Sequence, residues 1–350
     1  MPDLLKSIDV KNLLAAHAPV CIGVSGGKDS MAVAIAVAAE LKNYAGPKLL
    51  IHSDLGSVEW SDSLPACERL AQAIGWELAT CARPAGGLMQ RWRSRWESSV
   101  TRYKELSTVA LVLPWSTASM RFCTSELKSC PIASALKKRF GKRPVISVTG
   151  IRAEESRDRA KMPVSKPNKR LHTGSVDWNP ILGWSLAEVW EAIRVAGVRP
   201  HEAYESFGNS RVSCRFCILS KLADLQASLK DPAAQSIYRE MCDLELSSGF
   251  SFQSKLWLSS LAPHLLPDGE ERLTRARQVA FARIYEERWL PKHLQFTRGW
   301  PSSIPTDPEC VRLAAMRSAV SRLYGWTDAA CLTANEVRSR YQHLMEASRA

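Results

Sequence analysis

One hexapeptide constrains this chain more than any other feature: Ser25-Gly26-Gly27-Lys28-Asp29-Ser30. Before it lies a short apolar run, 19–24, that reads as a buried strand. After it the Ala- and Val-rich run 31–41 reads as a helix. A strand that passes through two glycines into a helix brings backbone N–H groups and the positive end of the helix dipole to one point. The paired glycines let backbone approach a phosphate closely, Lys28 adds a point charge, and Ser25 or Ser30 offers a hydroxyl donor. The spacing is neither Gly-x-x-x-x-Gly-Lys nor Gly-x-Gly-x-x-Gly, which excludes both of the common nucleotide loops. The plain alternative is a turn that needs glycine for positive φ. The complete strand-loop-helix context favours phosphate.

The rest of the first half repeats this alternation. Runs 48–52 and 76–80 read as strands with a helical pattern at 64–74 between them, and 145–148 is another short strand ending at Thr149-Gly150. Strands alternating with helices predict an α/β fold on a parallel sheet with helices on both faces. Ser185-Leu186-Ala187-Glu188 is a capping-box pattern, and it predicts a helix to Ala196. From about residue 231 the pattern is mainly helical, broken by Pro291, Pro301, Pro305 and Pro308, with Thr333-Ala334-Asn335-Glu336 opening a last helix. The expected organisation is a nucleotide-binding domain over 1–235 and a mainly helical region over 236–350.

Composition bounds the partners. The 350 residues are 45% hydrophobic and 23% charged, enough for a sizeable core. No apolar run is long enough to span a membrane. Residues 1–11 carry Asp3, Lys6, Asp9 and Lys11 among their leucines, so no export signal and a cytoplasmic location are expected. A formal net charge of +12 points to a polyanionic partner, whether nucleotide, nucleic acid or anionic surface.

Three further groups carry chemistry. In Thr149-Gly150-Ile151-Arg152-Ala153-Glu154-Glu155-Ser156-Arg157, Gly150 permits a tight exit from the sheet, and Arg152 and Arg157 can make charge-assisted bonds to phosphate or sulfate. Glu154 or Glu155 could orient an arginine or bind Mg²⁺. A salt-bridged helix start is the plain alternative. Asp54, after the second strand, could reach Mg²⁺ or the nucleotide. Cys214-Arg215-Phe216-Cys217 presents two thiolates toward one point, as soft metals and iron–sulfur clusters require. Cys123 and Cys130, in the stretch 121–131, supply further thiols, whereas Cys21 and Cys67 read as core. Ten cysteines without an export signal argue against a disulfide framework.

These motifs resemble a known family. Ser25–Ser30 after the first strand is similar to the PP-loop of the N-type ATP pyrophosphatases and their relatives. The stretch Arg121-Phe122-Cys123-Thr124 to Pro131, and Asn179-Pro180-Ile181 to Trp190, resemble segments of the phosphoadenosine phosphosulfate reductase-like family; the likeness runs from about 20 to 225. It implies a Rossmann-type, adenine nucleotide α-hydrolase-like sheet. It places ATP phosphates on Ser25, Gly26, Gly27, Lys28, Asp29 and Ser30, with Asp54 and Gly150 beside them. It gives Lys28, Asp29, Arg152 and Arg157 the chemistry, and puts a 4Fe–4S cluster on Cys123, Cys214 and Cys217. Cluster-carrying reductases have two adjacent cysteines at the first position; Phe122 stands in place of one here, which makes Cys130 the candidate fourth ligand.

Gly208-Asn209-Ser210-Arg211 ahead of Cys214 resembles the iron–sulfur PP-loop enzymes of DNA phosphorothioation. That likeness implies ATP with Mg²⁺, a nucleic-acid acceptor and a sulfur-donor protein of the cysteine desulfurase type. The chain ends Leu344-Met345-Glu346-Ala347-Ser348-Arg349-Ala350, without the Glu-Cys-Gly-Leu/Ile-His nucleophile segment of true reductases, so sulfonucleotide reduction is the second expectation. A nucleotide-binding module without turnover is the third. Arg91-Trp92-Arg93-Ser94-Arg95-Trp96, with Arg102, Tyr103 and Lys104, reads either as a nucleic-acid surface or as an amphipathic helix with its tryptophans packed inward.

Overall fold

The structure, a computed structural model, describes residues 1–347. The last three residues of the 236–350 region, and with them the end of the tail considered above, lie outside the described residues.

Six strands form one sheet in the order β3-β2-β1-β4-β6-β5. They are β1 (Val20–Val24), β2 (Lys48–Asp54), β3 (Glu77–Ala82), β4 (Ile146–Val148), β5 (Ser165–Pro167) and β6 (Val176–Trp178). All neighbouring pairs are parallel except β5 with β6. The central strand β1 pairs on both sides, Val20 with Lys48 and with Ile146, and Val20, Cys21, Ile22 and Val24 are buried. Burial on both faces is why β1 reads as a continuous apolar run rather than an alternating one.

The chain builds outward from β1 through β2 to β3, then returns to place β4 on the other side. The carboxyl ends of β1 and β4 therefore flank the point where strand order reverses, the place where open α/β sheets bind ligands. Ser25 leaves β1 at this point and Thr149 leaves β4 at it.

The helix Lys28–Glu40 leads away from β1. Its Met31 to Val37 stretch is buried at every position, because it lies between the sheet and the helix Leu186–Val195. The expected capping box opens that second helix: Ser185 Oγ accepts from the Glu188 amide at 3.2 Å, and Glu188 Oε2 accepts from the Ser185 amide at 2.6 Å. The last helix, Ala334–Ala347, starts as expected, with the Thr333 amide donating to Glu336 at 2.9 Å. The hairpin of β5 and β6 and a π-helical turn at Ser125–Ser129 have no counterpart among the sequence expectations.

The chain divides into two compact units. One comprises Met1–Met89 and Ser116–Tyr238; the other comprises Gln90–Trp115 and the residues from Arg239 onward. The expected division at 235 falls close to the second crossing, but residues 90–115 sit in the second unit. The reason is aromatic packing. Trp92 is 1% exposed and meets Trp115 edge-on at 5.2 Å and Phe252 at 6.3 Å, while Trp96 meets Phe250 and Tyr324, each at 6.0 Å. Arg93 pairs with Glu240 at 3.0 Å, and Arg95 donates to the Leu113 carbonyl at 2.9 Å. Of the two readings of Arg91–Lys104, the structure takes the packed helix, Leu88–Lys104, with Trp92 buried and Trp96 half-buried.

Two buried charges organise the second unit. Glu245 accepts four hydrogen bonds, from the amides of Phe252, Leu258 and Ser259 and from the Ser259 hydroxyl. Arg317 donates to the carbonyls of Tyr103, Lys104, Ala330 and Cys331. Both are satisfied internally, as buried charges must be. No helix among the described residues is long and apolar enough to cross a membrane.

Candidate nucleotide and cysteine site

Ser25-Gly26-Gly27 turns the chain from β1 into the helix Lys28–Glu40, with Gly27 as its N-cap. Gly26 has φ +72°, and a Cβ there would lie 2.9 Å from the His201 ring and 3.1 Å from the Ser63 carbonyl. Both conformation and space demand glycine. Ser30 Oγ donates to the Gly27 carbonyl at 2.8 Å and accepts from the Ser25 amide at 3.3 Å, which closes the loop on itself. The amides of the helix's first turn are those that a helix cannot satisfy internally. Lys28 is 6% exposed, with Nζ 3.1 Å from Asp29 Oδ2 and 3.4 Å from the Ser210 carbonyl.

The segment after β4 is fitted against this loop. A Cβ on Gly150 would lie 2.3 Å from the Asp29 carbonyl oxygen, so glycine alone allows the two segments to touch. Arg152 is 4% exposed, and its Nε donates to Asp29 Oδ1 at 2.7 Å while a terminal nitrogen reaches Glu154 at 2.5 Å. Burial works against the Arg152 charge, but the Asp29 carboxylate outweighs it and holds the guanidinium firmly protonated. Asp29 thus joins Lys28 to Arg152 across the two segments. Of the second pair of candidates, Arg157 is exposed in the short helix Arg157–Ala160, and Asp54, exposed at the end of β2, accepts from the Gly56 amide at 2.7 Å.

Asp54 borders a cleft of about 400 Å³ lined also by His52, Glu59, Trp60 and Thr80. His52 is 1% exposed; its Nδ1 is 3.1 Å from the Val24 carbonyl and its Nε2 is 3.1 Å from Glu59. With acceptors on both sides, both ring nitrogens donate and the ring is an imidazolium. Burial alone would lower its pKa; contacts with Cys67 and Glu59 outweigh burial and raise it to about 10. His201 is the opposite case. Burial pushes it down to about 4, and its Nδ1 accepts from the Ala203 amide at 3.0 Å, so it packs against Gly26 as a neutral ring. The sequence reads His52 as a hydrogen-bonded histidine near the strand end, which its contacts with Val24 and Glu59 bear out, and it gives no signal for His201.

The segments that carry the cysteines are tied to the end of β2 and the loop after it: the Ser53 hydroxyl donates to the Leu127 carbonyl at 2.6 Å, and the Arg215 amide donates to the Val58 carbonyl at 2.9 Å. Cys123 sits in the turn Phe122–Thr124, ahead of the π-helical turn. Cys214 and Cys217 flank Arg215 and Phe216, both buried. Arg215 reaches Asp231 at 3.1 Å and Ser61 at 2.7 Å, and Phe216 packs on Tyr238. The two middle residues anchor the loop, and the Leu219 amide points at Cys217 Sγ at 3.5 Å. Upstream of the cysteines, the Ser210 amide and hydroxyl donate to buried Asp224 at 2.6 and 3.0 Å.

Burial pushes the Cys214 thiol up to about 12; Lys128 opposes this, while Cys217 and Cys123 reinforce it. Three soft donors, Cys123, Cys214 and Cys217, with an amide aimed at one sulfur, fit an iron–sulfur cluster in chemistry. Among the described residues, no three His, Cys, Asp or Glu side chains already surround one metal position. Cys130 is exposed, and the π-helical turn Ser125–Ser129 lies between it and Cys123. None of the ten cysteines is in a disulfide.

Residues 19–220, more than half of the chain, match the model of the phosphoadenosine phosphosulfate reductase domain. The chain belongs to this family. Membership places it in the PP-loop ATP pyrophosphatase superfamily, whose Rossmann-type sheet with a glycine-rich loop after the first strand is the architecture described above. An uncharacterised 37.8 kDa protein of Escherichia phage 186 is 33% identical over 110 residues, covering 30% of this chain and 32% of the phage protein. The match thus spans about a third of that relative. A solved structure of phosphoadenylyl-sulfate reductase from Candida auris, in complex with phosphate, is 15% identical and covers 59% of this chain and 86% of its own, with a TM-score of 0.40.

Proposed function

We propose that this family member binds ATP on Ser25–Ser30, cleaves it to AMP and pyrophosphate, and so activates a nucleic-acid acceptor for sulfur incorporation. The observation that carries the reading is the closure of Gly150 and Arg152 onto Asp29. It brings the loop after β4 against the first-turn amides of the helix Lys28–Glu40, beside buried Lys28. A site of this kind is preorganised for a polyphosphate: amides and a lysine are fixed before the anion arrives, and the glycines leave room for its approach.

In the proposed reaction an acceptor oxygen attacks the α-phosphorus and pyrophosphate leaves. Lys28 and the loop amides take up the charge that develops on the leaving oxygens. Asp29, held by Arg152, keeps Lys28 in place. Asp54 is the carboxylate offered to the Mg²⁺ that accompanies the phosphates, an ion that commonly takes only one or two protein carboxylates. Cys123, Cys214 and Cys217 would hold a 4Fe–4S cluster, with Cys130 the candidate fourth ligand. When bound, the cluster supplies iron sites for sulfur brought by a donor protein of the cysteine desulfurase type. The setting is the cytoplasm.

The acceptor is assigned from charge. Net charge is +12, and Arg157, Lys161, Lys166, Lys169, Arg170 and Arg211 are exposed on the unit that carries the loop. The family's description favours a second reading, sulfonucleotide reduction, and a module without turnover is a third. DNA and RNA binding across a salt series separates the first two. Neutralising several backbone phosphates releases their counterions, so the proposed enzyme loses affinity steeply as salt rises. Absence of nucleic-acid binding at low salt, with sulfite released from phosphoadenosine phosphosulfate by a thiol donor, installs the reductase reading instead.

A further inference from the structure

The Tyr204 hydroxyl lies between the phosphate loop and the cysteine loop. The Lys28 amide donates to it at 3.0 Å, and the Val212 amide donates to it at 3.2 Å. Lys28 opens the loop helix, and Val212 stands just ahead of Cys214. Two accepted hydrogen bonds use both lone pairs of a phenolic oxygen. The ring is fixed independently: it meets Trp190 edge-on at 5.0 Å, and Lys28 Nζ lies over it at 5.7 Å. Lys28 adds a parallel tie through Nζ to the Ser210 carbonyl.

The Lys28 amide is one of the first-turn donors that a phosphate on this loop would seek. In the structure that donor is given to Tyr204. We propose that Tyr204 is a positioning residue that holds the place of a phosphate oxygen at the Lys28 amide. Nucleotide binding displaces its oxygen and, by the same movement, slackens the Val212 tie two residues ahead of Cys214. Loading of the phosphate loop and exposure of the cysteine loop are thereby one event. This rests on the nucleotide reading above and adds an order to it: the thiol segment opens only once nucleotide is seated. The coupling is reciprocal, as any linkage between two binding events must be.

The test is the rate of iodoacetamide alkylation at Cys214 in the full chain before cluster reconstitution, read by peptide mass spectrometry with and without ATP and Mg²⁺. Exposed Cys130 reports reagent strength, and buried Cys67 reports global unfolding. Tyr204→Phe keeps the ring and removes the oxygen. Losing one net hydrogen bond should speed Cys214 alkylation roughly fivefold without nucleotide, with Cys67 still protected. ATP should speed Cys214 in the wild type but leave the variant unchanged, and the variant should bind ATP more tightly because nothing competes for the Lys28 amide. A side chain with a merely structural role would weaken ATP binding on truncation. Wild-type alkylation rates in nucleotide-free Tyr204→Phe overturn the tie. ATP binding to the wild type with no change at Cys214 overturns the coupling. Failure of the wild type to bind ATP removes the nucleotide reading and with it the coupling, while the nucleotide-free comparison still decides the tie.

Discussion

Gly150→Ala probes the contact on which the nucleotide site depends. The added methyl would lie 2.3 Å from the Asp29 carbonyl oxygen, 2.7 Å from its carbon and 3.1 Å from the Ser30 amide nitrogen. All three are backbone atoms of the loop helix's first turn, so no side-chain rotation relieves the clash. The segment after β4 must move outward, and Arg152, bonded to Asp29 at 2.7 Å, moves with it. Overpacking of this kind costs about 1–3 kcal/mol. If the cost falls on the binding-competent arrangement, ATP affinity drops about five- to 150-fold, since about 1.4 kcal/mol is a factor of ten. Calorimetric titration with ATP, alongside urea unfolding, measures both effects. A Gly150→Ala protein with a lower unfolding midpoint but ATP affinity within about twofold of wild type would refute the reasoning. The contact would then serve the fold and not the phosphate site.

Two further outcomes are expected. Cys214→Ala should abolish the brown absorbance and bound iron of anaerobically reconstituted protein, whereas Cys67→Ala, which touches His52 in the core, should keep both; full iron in both variants rules out the cysteine assignment. Stability should fall on both sides of neutrality. His52, raised to about 10 in the fold, binds a proton that the unfolded chain releases near 6.5, so its contribution is full below about 6.5 and is lost as pH rises through 10. His201, lowered to about 4, contributes above about 6.5 and loses that contribution as pH falls through 4. Urea midpoints across pH should show both limbs, with His52→Gln flattening the alkaline one; an unchanged alkaline limb in that variant contradicts the His52–Glu59 ion pair.

The parts of the site that were legible in the sequence are those made by neighbours in the chain. The strand, two glycines and a helix stand consecutively from Val20 to Glu40, and the Ser185–Glu188 capping box spans one turn, so local pattern was enough for both. The links made across the chain were not legible. Arg152 looked like an anion ligand, but it binds Asp29, 123 positions away, and acts on the loop through that carboxylate. Tyr204 meets the Lys28 amide across 176 positions, and a tyrosine in a short helix carries no signal of such a partner. Trp92 and Trp96 between arginines read as either a stacking surface or an inward-packed helix, because alternating aromatic and basic residues suit both. Only Trp115, Phe250 and Phe252, distant in sequence, decide between them. Cys130 shows the same limit in miniature: its spacing from Cys123 holds for an α-helix, and a π turn intervenes.

The central claim is that the loop Ser25–Ser30 presents ATP for attack at its α-phosphorus. The measurement that tests it most directly is product identity. Purified protein is incubated with Mg²⁺ and ATP labelled separately in the α- and γ-phosphates, with and without nucleic acid, and the products are separated chromatographically. The account predicts α-label in AMP or in an adenylylated acceptor, and γ-label in pyrophosphate. Appearance of ADP with γ-label in free phosphate would contradict it.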